Sequence, residues 1–284
     1  MAITVTAKEK KILTTVTVPP RPKILIKIAA EAKQPEPSIK IIADAIIEDT
    51  AISAAVLQVV NSAIFSRAKP LESIHQAVMT LGMKRIFPLV KAVALKSALP
   101  ENTNLNEFWQ RSSMAASACA LYAELVNMSE LADNAYMLGL FHIAGVPIML
   151  QRFDDYQYLL NKGINEGWEN ICELEHNQYQ MSHTTLGALL AQQWKLPLSM
   201  VEVIYYFHDV EGIFESGELS KVSLYLLSIL KLARASVDEI LGGKLESNEW
   251  LMVRDQVIEI LNIDEVQLEE MQTEVKNRLS KDVK

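Results

Sequence analysis

Apolar residues recur at three- and four-residue intervals along most of the chain, the spacing of helices that bury one face. Ile39, Ile42, Ala43 and Ile46 form one such face, with Ser38 placed to cap it after Pro35 and Pro37. Asp49-Thr50 separates this run from a second, about Ile52 to Ala63, which Asp49 can cap and which carries Asn61 near its end. Ser73 with Gln76 has the spacing of a capping box for a third helix, which Gly82 closes. From Gly82 to Leu99 an apolar stripe continues across Pro88.

The pattern predicts further helices down the chain. Asn104 with Glu107 opens a long one, about Leu105 to Val126, and Ser129 caps another that runs to His142, where Gly145-Val146-Pro147 ends or bends it. Ile148 to Leu160, Met181 to Trp194 and Leu198 to Phe207 follow, the last with a Ser199–Glu202 capping box. Residues 211–218 read as a loop. Leu219 to Leu241, Glu249 to Leu261 and a final amphipathic stretch fraying after Arg278 complete the set. An earlier helix, about Lys23 to Lys33, follows Pro19-Pro20. Residues 1–20 alternate weakly and read as an extended arm. The fold class expected is all-α: an arm (1–20), a helical domain (21–241) whose two halves meet near residue 125, and a C-terminal helical extension (242–284).

Composition agrees with a folded helical protein. Half of the 284 residues are apolar, and Gly and Pro number only 10 each. A net charge of −8 argues against a broad nucleic-acid surface, which needs a positive footprint. Lysines at 8, 10, 11, 23, 27 and 33 with Arg21 make the N-terminal segment basic, suited either to solvent or to an anionic partner. Cys119 and Cys172 lie too far apart for a metal-finger spacing, and free thiols in a reducing compartment are expected. No secretory leader and no run of about 20 apolar residues is present, so a cytoplasmic protein without a membrane span is expected.

The histidines carry the chemical question. His142, His183 and His208 each extend an otherwise apolar helix face, near a helix end, and could converge across a bundle. Histidines so placed serve equally as core or cap residues. Asn61 is read as a hydrogen-bonding residue that holds the turn toward Phe65, with a partner contact as the alternative. No GxSxG, Walker loop, GxGxxG or HExxH pattern occurs.

Several of these residues together resemble the HDOD domain family, relatives of the HD metal-dependent phosphohydrolases. Asp49, though followed by Thr50 rather than the usual proline, matches its acidic residue. Leu57, Asn61, Ser62, Ala63 and Phe65 match its central signature, and Ile74, Ala77, Leu81 and Gly82 the next one. Gly139-Leu140-Phe141-His142-Ile143-Ala144-Gly145 resembles the segment carrying the His-Asp pair, with Ile143 in the aspartate's place. His183, Gly187, Ala188, Leu189, Trp194, Leu196 and Pro197 match the following motif, whose leading glycine is Gln180 here. Phe207-His208 stands where the family has two histidines, and Arg234 where active relatives have the last acid.

The resemblance implies a multi-helical HD-like bundle and a signalling role exercised through another signalling protein. Loss of the acids removes the bridge that a two-metal hydrolytic site needs, and an arginine repels a cation. No catalytic residue, metal or cofactor is therefore assigned. His142, His183, His208 and Arg234 are instead read as a vestigial pocket. Two alternatives stay open: a residual phosphohydrolase borrowing Asp209 or Asp154-Asp155, and a nucleotide or small-molecule sensor in which Arg234 grips an anionic ligand.

Overall fold

The structure is a computed structural model that describes residues 22–61, 70–98, 106–168, 170–210, 212–241 and 248–280. The expected arm at 1–20, Ser62, Ala63 and Phe65 of the central signature, and the Asn104 cap lie outside the described residues. Within them the protein is all-α, a multi-helical HD-like bundle without a strand. No helix among them is long and apolar enough to cross a membrane.

The N-terminal half is three short helices laid on a longer one. These are α1 (Lys23–Glu31), α2 (Ile39–Ile47) and α3 (Thr50–Val60), packed with α4 (Ile74–Ala98). Local chemistry sets their starts. Ser38 accepts from the Ile41 N–H at 3.4 Å, and Asp49 from the Ile52 N–H at 3.0 Å. The Ser73 box is offset by one residue: Ser73 Oγ accepts from Gln76 N–H at 3.2 Å, but the Gln76 side chain accepts from Glu72 N–H at 2.8 Å. α4 is broken at Gly82, whose φ of 69° an L side chain seldom adopts.

The second half is built around α5 (Asn106–Leu125), α6 (Ala132–Phe141) and α12 (Lys221–Ile240). α5 and α6 approach so closely that a Cβ on Gly139 would lie 2.5 Å from the Ala116 Cα. The Ser/Ala-rich face of α5 and the glycine of α6 leave room for that contact. Around this centre stand α7 (Gly145–Arg152), α8 (Tyr156–Glu166), α9 (Ile171–Tyr179), α10 (His183–Gln193) and α11 (Leu198–Tyr206). The chain ends in α13 (Asn248–Leu261), packed on α12, and α14 (Glu265–Leu279), packed on α5 and α12. Buried side chains from Ile24 to Leu279 form one connected hydrophobic cluster.

Four local expectations are corrected. Ser129 opens a short 3-10 turn, Ser129–Leu131, and α6 starts at Ala132 without a side-chain cap. Gly145-Val146-Pro147 begins a helix rather than ending one, because a proline in the first turn has no hydrogen bond to lose. The expected helix from Ile148 to Leu160 is two, parted by Phe153 in an extended conformation. Ser199 and Glu202 form no capping box. Pro197 leads into α11, and the buried Glu202 accepts from Ser223 Oγ at 2.6 Å.

Candidate functional site

Helix ends and first turns bring the site together. His142 follows the last residue of α6 and His183 is the first residue of α10. His208 lies two residues beyond α11. α9 contributes Cys172 and Glu175, α12 contributes Lys231 and Arg234 one turn apart, and the first turn of α13 contributes Glu249. His142, His183, His208, Glu175, Lys231 and Glu249 are all buried.

α10 is held in place by its neighbour α7. A Cβ on Gly145 would sit 1.9 Å from the carbonyl oxygen of His183 and 2.8 Å from the Gly187 nitrogen, so only glycine permits this crossing. Ser182 caps α10, accepting from Thr185 N–H at 3.1 Å. Gln180, which stands at the family's glycine, has φ of 58°. A left-handed backbone at the end of α9 explains why glycine suits that position.

Each imidazole has a distinct setting. His142 Nδ1 lies 2.7 Å from the Gly139 carbonyl, which fixes the proton on that nitrogen. Burial, reinforced by the Arg234 charge, holds the His142 imidazole well below its ordinary pKa. His183 Nδ1 meets the Glu175 carboxylate at 2.9 Å, and Glu175 also accepts from the His183 backbone N–H at 2.9 Å and from the Tyr156 hydroxyl. Burial raises the Glu175 carboxyl, but His183 and these hydrogen bonds outweigh it and leave the carboxyl below its usual range. His208 Nδ1 is 3.3 Å from Glu249 Oε1 but out of line for a hydrogen bond. Burial lowers the His208 pKa to about 3 against the pull of Glu249.

Glu249 is the charge centre of the far side. It pairs with Lys231, and its other oxygen lies 3.6 Å from Arg234 Nη1. Burial raises its carboxyl, yet Lys231, Arg234 and His208 hold it well below the ordinary range. Arg234 also lies over the Phe207 ring at 5.1 Å. An anion reaching Arg234 would have to compete with Glu249.

Three donor atoms converge. Cys172 Sγ and one nitrogen each of His183 and His208 lie within 4.8 Å of one another. Nε2 of His183 and both ring nitrogens of His208 are buried without a hydrogen-bond partner. Trp168 stacks on His208 with centroids 5.7 Å apart and meets His183 edge-on at 5.3 Å, so aromatic rings pack around the pair.

The donor set does not fit a two-metal hydrolytic centre. Position 143 is a buried isoleucine, and the region of the last acid holds Lys231 and Arg234, two cations bound to Glu249. Asp209, Asp154 and Asp155 are exposed and take no part in the cluster; Asp155 accepts instead from the Tyr179 hydroxyl at 3.0 Å. The cluster is a degenerate, incomplete form of a metal centre.

Of the residues singled out in the sequence, His142, His183, His208 and Arg234 come together here. Asp49 and Asn61 serve the N-terminal helices instead, and Gly82 the break in α4. Asn61 follows α3 and clasps Leu71, with Nδ2 donating to its carbonyl at 2.9 Å and Oδ1 accepting from its N–H at 2.7 Å. Cys172, Glu175, Lys231 and Glu249 were not anticipated. Glu249 comes from the region read as an extension, and nothing in its local pattern distinguishes it from a solvated first-turn acid.

An all-α HD-like bundle with buried histidines gathered at its helix ends defines the class of protein. The chain belongs to the HDOD domain family, whose model matches residues 18–210. It is 23% identical over 194 residues to an uncharacterized protein of Treponema pallidum, a match spanning 68% of this chain and 38% of that relative. Among solved structures it is similar to a candidate phosphohydrolase of Shewanella amazonensis, with TM-score 0.72, 21% identity, and 96% and 94% of the two chains covered. An HDOD domain protein of unknown function from Geobacter sulfurreducens has TM-score 0.65 at 21% identity, with 94% and 95% covered. A candidate signal transduction protein of Marinobacter aquaeolei has TM-score 0.69 at 21% identity, with 98% of this chain and 60% of that one covered.

Proposed function

We propose that this protein is a regulatory member of its family that does not hydrolyse phosphoesters, but senses an ion-sized ligand at the vestigial HD site and passes its state to another signalling protein. One observation carries the reading. The histidines of the site remain gathered and buried with unpartnered ring nitrogens, while the positions of the acids are held by Ile143 and by cations already paired with Glu249. An unpartnered buried polar atom costs on the order of 1–3 kcal/mol, a cost a purely structural core would shed. Trp168 and Phe207 packed around the histidines favour an ion over a nucleotide. The Marinobacter protein of similar fold, described as a candidate signal transduction protein, supports the regulatory part. For partner contact, the exposed Ile26, Ile39, Ile41, Ile47 and Met79 on the N-terminal helices offer apolar surface.

The test is a turnover assay with phosphomonoesters, nucleotides and cyclic dinucleotides, supplemented in turn with manganese, iron and zinc. No turnover above the metal blank is expected. Turnover that disappears in His142→Ala would establish the residual phosphohydrolase instead.

A further inference from the structure

We infer that Cys172, His183 and His208 bind a single zinc-class cation as a thiolate–bis-imidazole site, distinct in ligands from a carboxylate-bridged hydrolytic centre. The inference rests on the sensing reading and names its ligand. Sulfur and imidazole donors select zinc, cobalt(II) or copper over magnesium and manganese, which prefer oxygen. The donor atoms lie within 4.8 Å of one another, and tetrahedral coordination at ordinary zinc–ligand lengths requires about 3.3–3.8 Å, so the site closes by roughly 1 Å on binding.

The surroundings suit this role. The Glu175 carboxylate on Nδ1 of His183 leaves the buried, unpartnered Nε2 as the donor, the arrangement that orients and strengthens a metal-bound imidazole. Glu249 Oε1 lies 3.3 Å from His208 Nδ1 but out of line for a hydrogen bond, so the His208 ring is not oriented as the His183 ring is and keeps both nitrogens unpartnered. Cys172 Sγ makes a long contact, 4.0 Å, to Thr184 Oγ1. On binding, the Cys172 S–H bond breaks, its proton passes to solvent, and the sulfur lone pair forms the metal bond. Three protein ligands leave a fourth position for water.

The full chain, stripped with chelator and titrated with cobalt(II) alone, tests this. One equivalent is expected to bind with thiolate-to-cobalt charge-transfer absorption in the near ultraviolet. Cys172→Ser should abolish that absorption, and Cys119→Ser should leave it. Glu175→Gln should weaken binding about 10- to 100-fold. Absence of the band, or its survival in Cys172→Ser, overturns the inference. X-ray absorption of the loaded wild-type protein gives a second reading that needs no variant to fold. One sulfur and two imidazoles in the shell support the site, and a sulfur-free shell sinks it. Binding accompanied by phosphoester turnover would leave this site standing and remove the non-hydrolytic reading. No binding and no turnover would do the reverse.

Discussion

Glu175 holds His183 at two points, meeting both its Nδ1 and its backbone N–H at 2.9 Å. One carboxylate thus orients the imidazole and occupies the positive end of α10. Glu175→Ala removes both contacts and strands the Tyr156 hydroxyl, so a loss of about 2–4 kcal/mol is expected by urea denaturation. Glu175→Gln, which keeps the shape, should cost less. Equal costs for the two would show that packing, not hydrogen bonding, sets the role of Glu175.

Glu249 neutralises two buried or nearly buried cations, Lys231 and Arg234. Glu249→Ala removes the carboxylate paired with Lys231 and lying 3.6 Å from Arg234, and should destabilise by about 3–5 kcal/mol. The double variant Glu249→Leu, Lys231→Met should recover much of that loss, since removing both charges also removes their desolvation cost. A double variant as unstable as the single one would contradict the pairing.

His142 makes stability depend on pH. Its folded pKa lies well below 6.5, burial and Arg234 being the causes, with His208 and His183 adding to them. Below about pH 6.5 the unfolded imidazole takes up a proton that the folded one refuses. Stability is therefore complete above that pH and falls as pH drops, by up to about 1.4 kcal/mol per unit. His208 acts in the same direction. Denaturation of His142→Gln between pH 5 and 7.5 should show a shallower slope than wild type, and identical slopes would refute the assignment.

Gly145→Ala tests how α7 positions the site. The added Cβ meets the His183 carbonyl at 1.9 Å, and this is backbone that cannot rotate away. A loss of about 3 kcal/mol is expected, with a changed near-ultraviolet dichroism from the aromatic residues around His183. An unaltered melt would mean that the two helices do not cross this closely.

Asn61→Ala should cost about 1 kcal/mol, because both bonds to Leu71 are lost but water can replace them at this exposed position. Asn61→Asp keeps the acceptor for the Leu71 N–H and should lose less. A melting temperature unchanged in both variants would leave the Asn61–Leu71 clasp without a structural role and point to the partner contact.

Helices and their breaks were legible in the sequence because their causes are local. The Asp49 and Ser38 caps, the α4 break at Gly82 and the apolar faces of α5 and α12 depend on residues three or four positions apart. The motif around His142 and His183 likewise exposed the family and the missing acids, since Ile143 is visible as a substitution at a known offset. What only the tertiary structure decided is which charges enter the site. Lys231, Glu249 and Glu175 read along the chain like residues of solvated faces, and burial becomes affordable only when partners 18 or 8 positions away arrive beside them. Cys172 joins His183 and His208 for the same reason: three helices must pack before one sulfur and two ring nitrogens share a space no sequence spacing records.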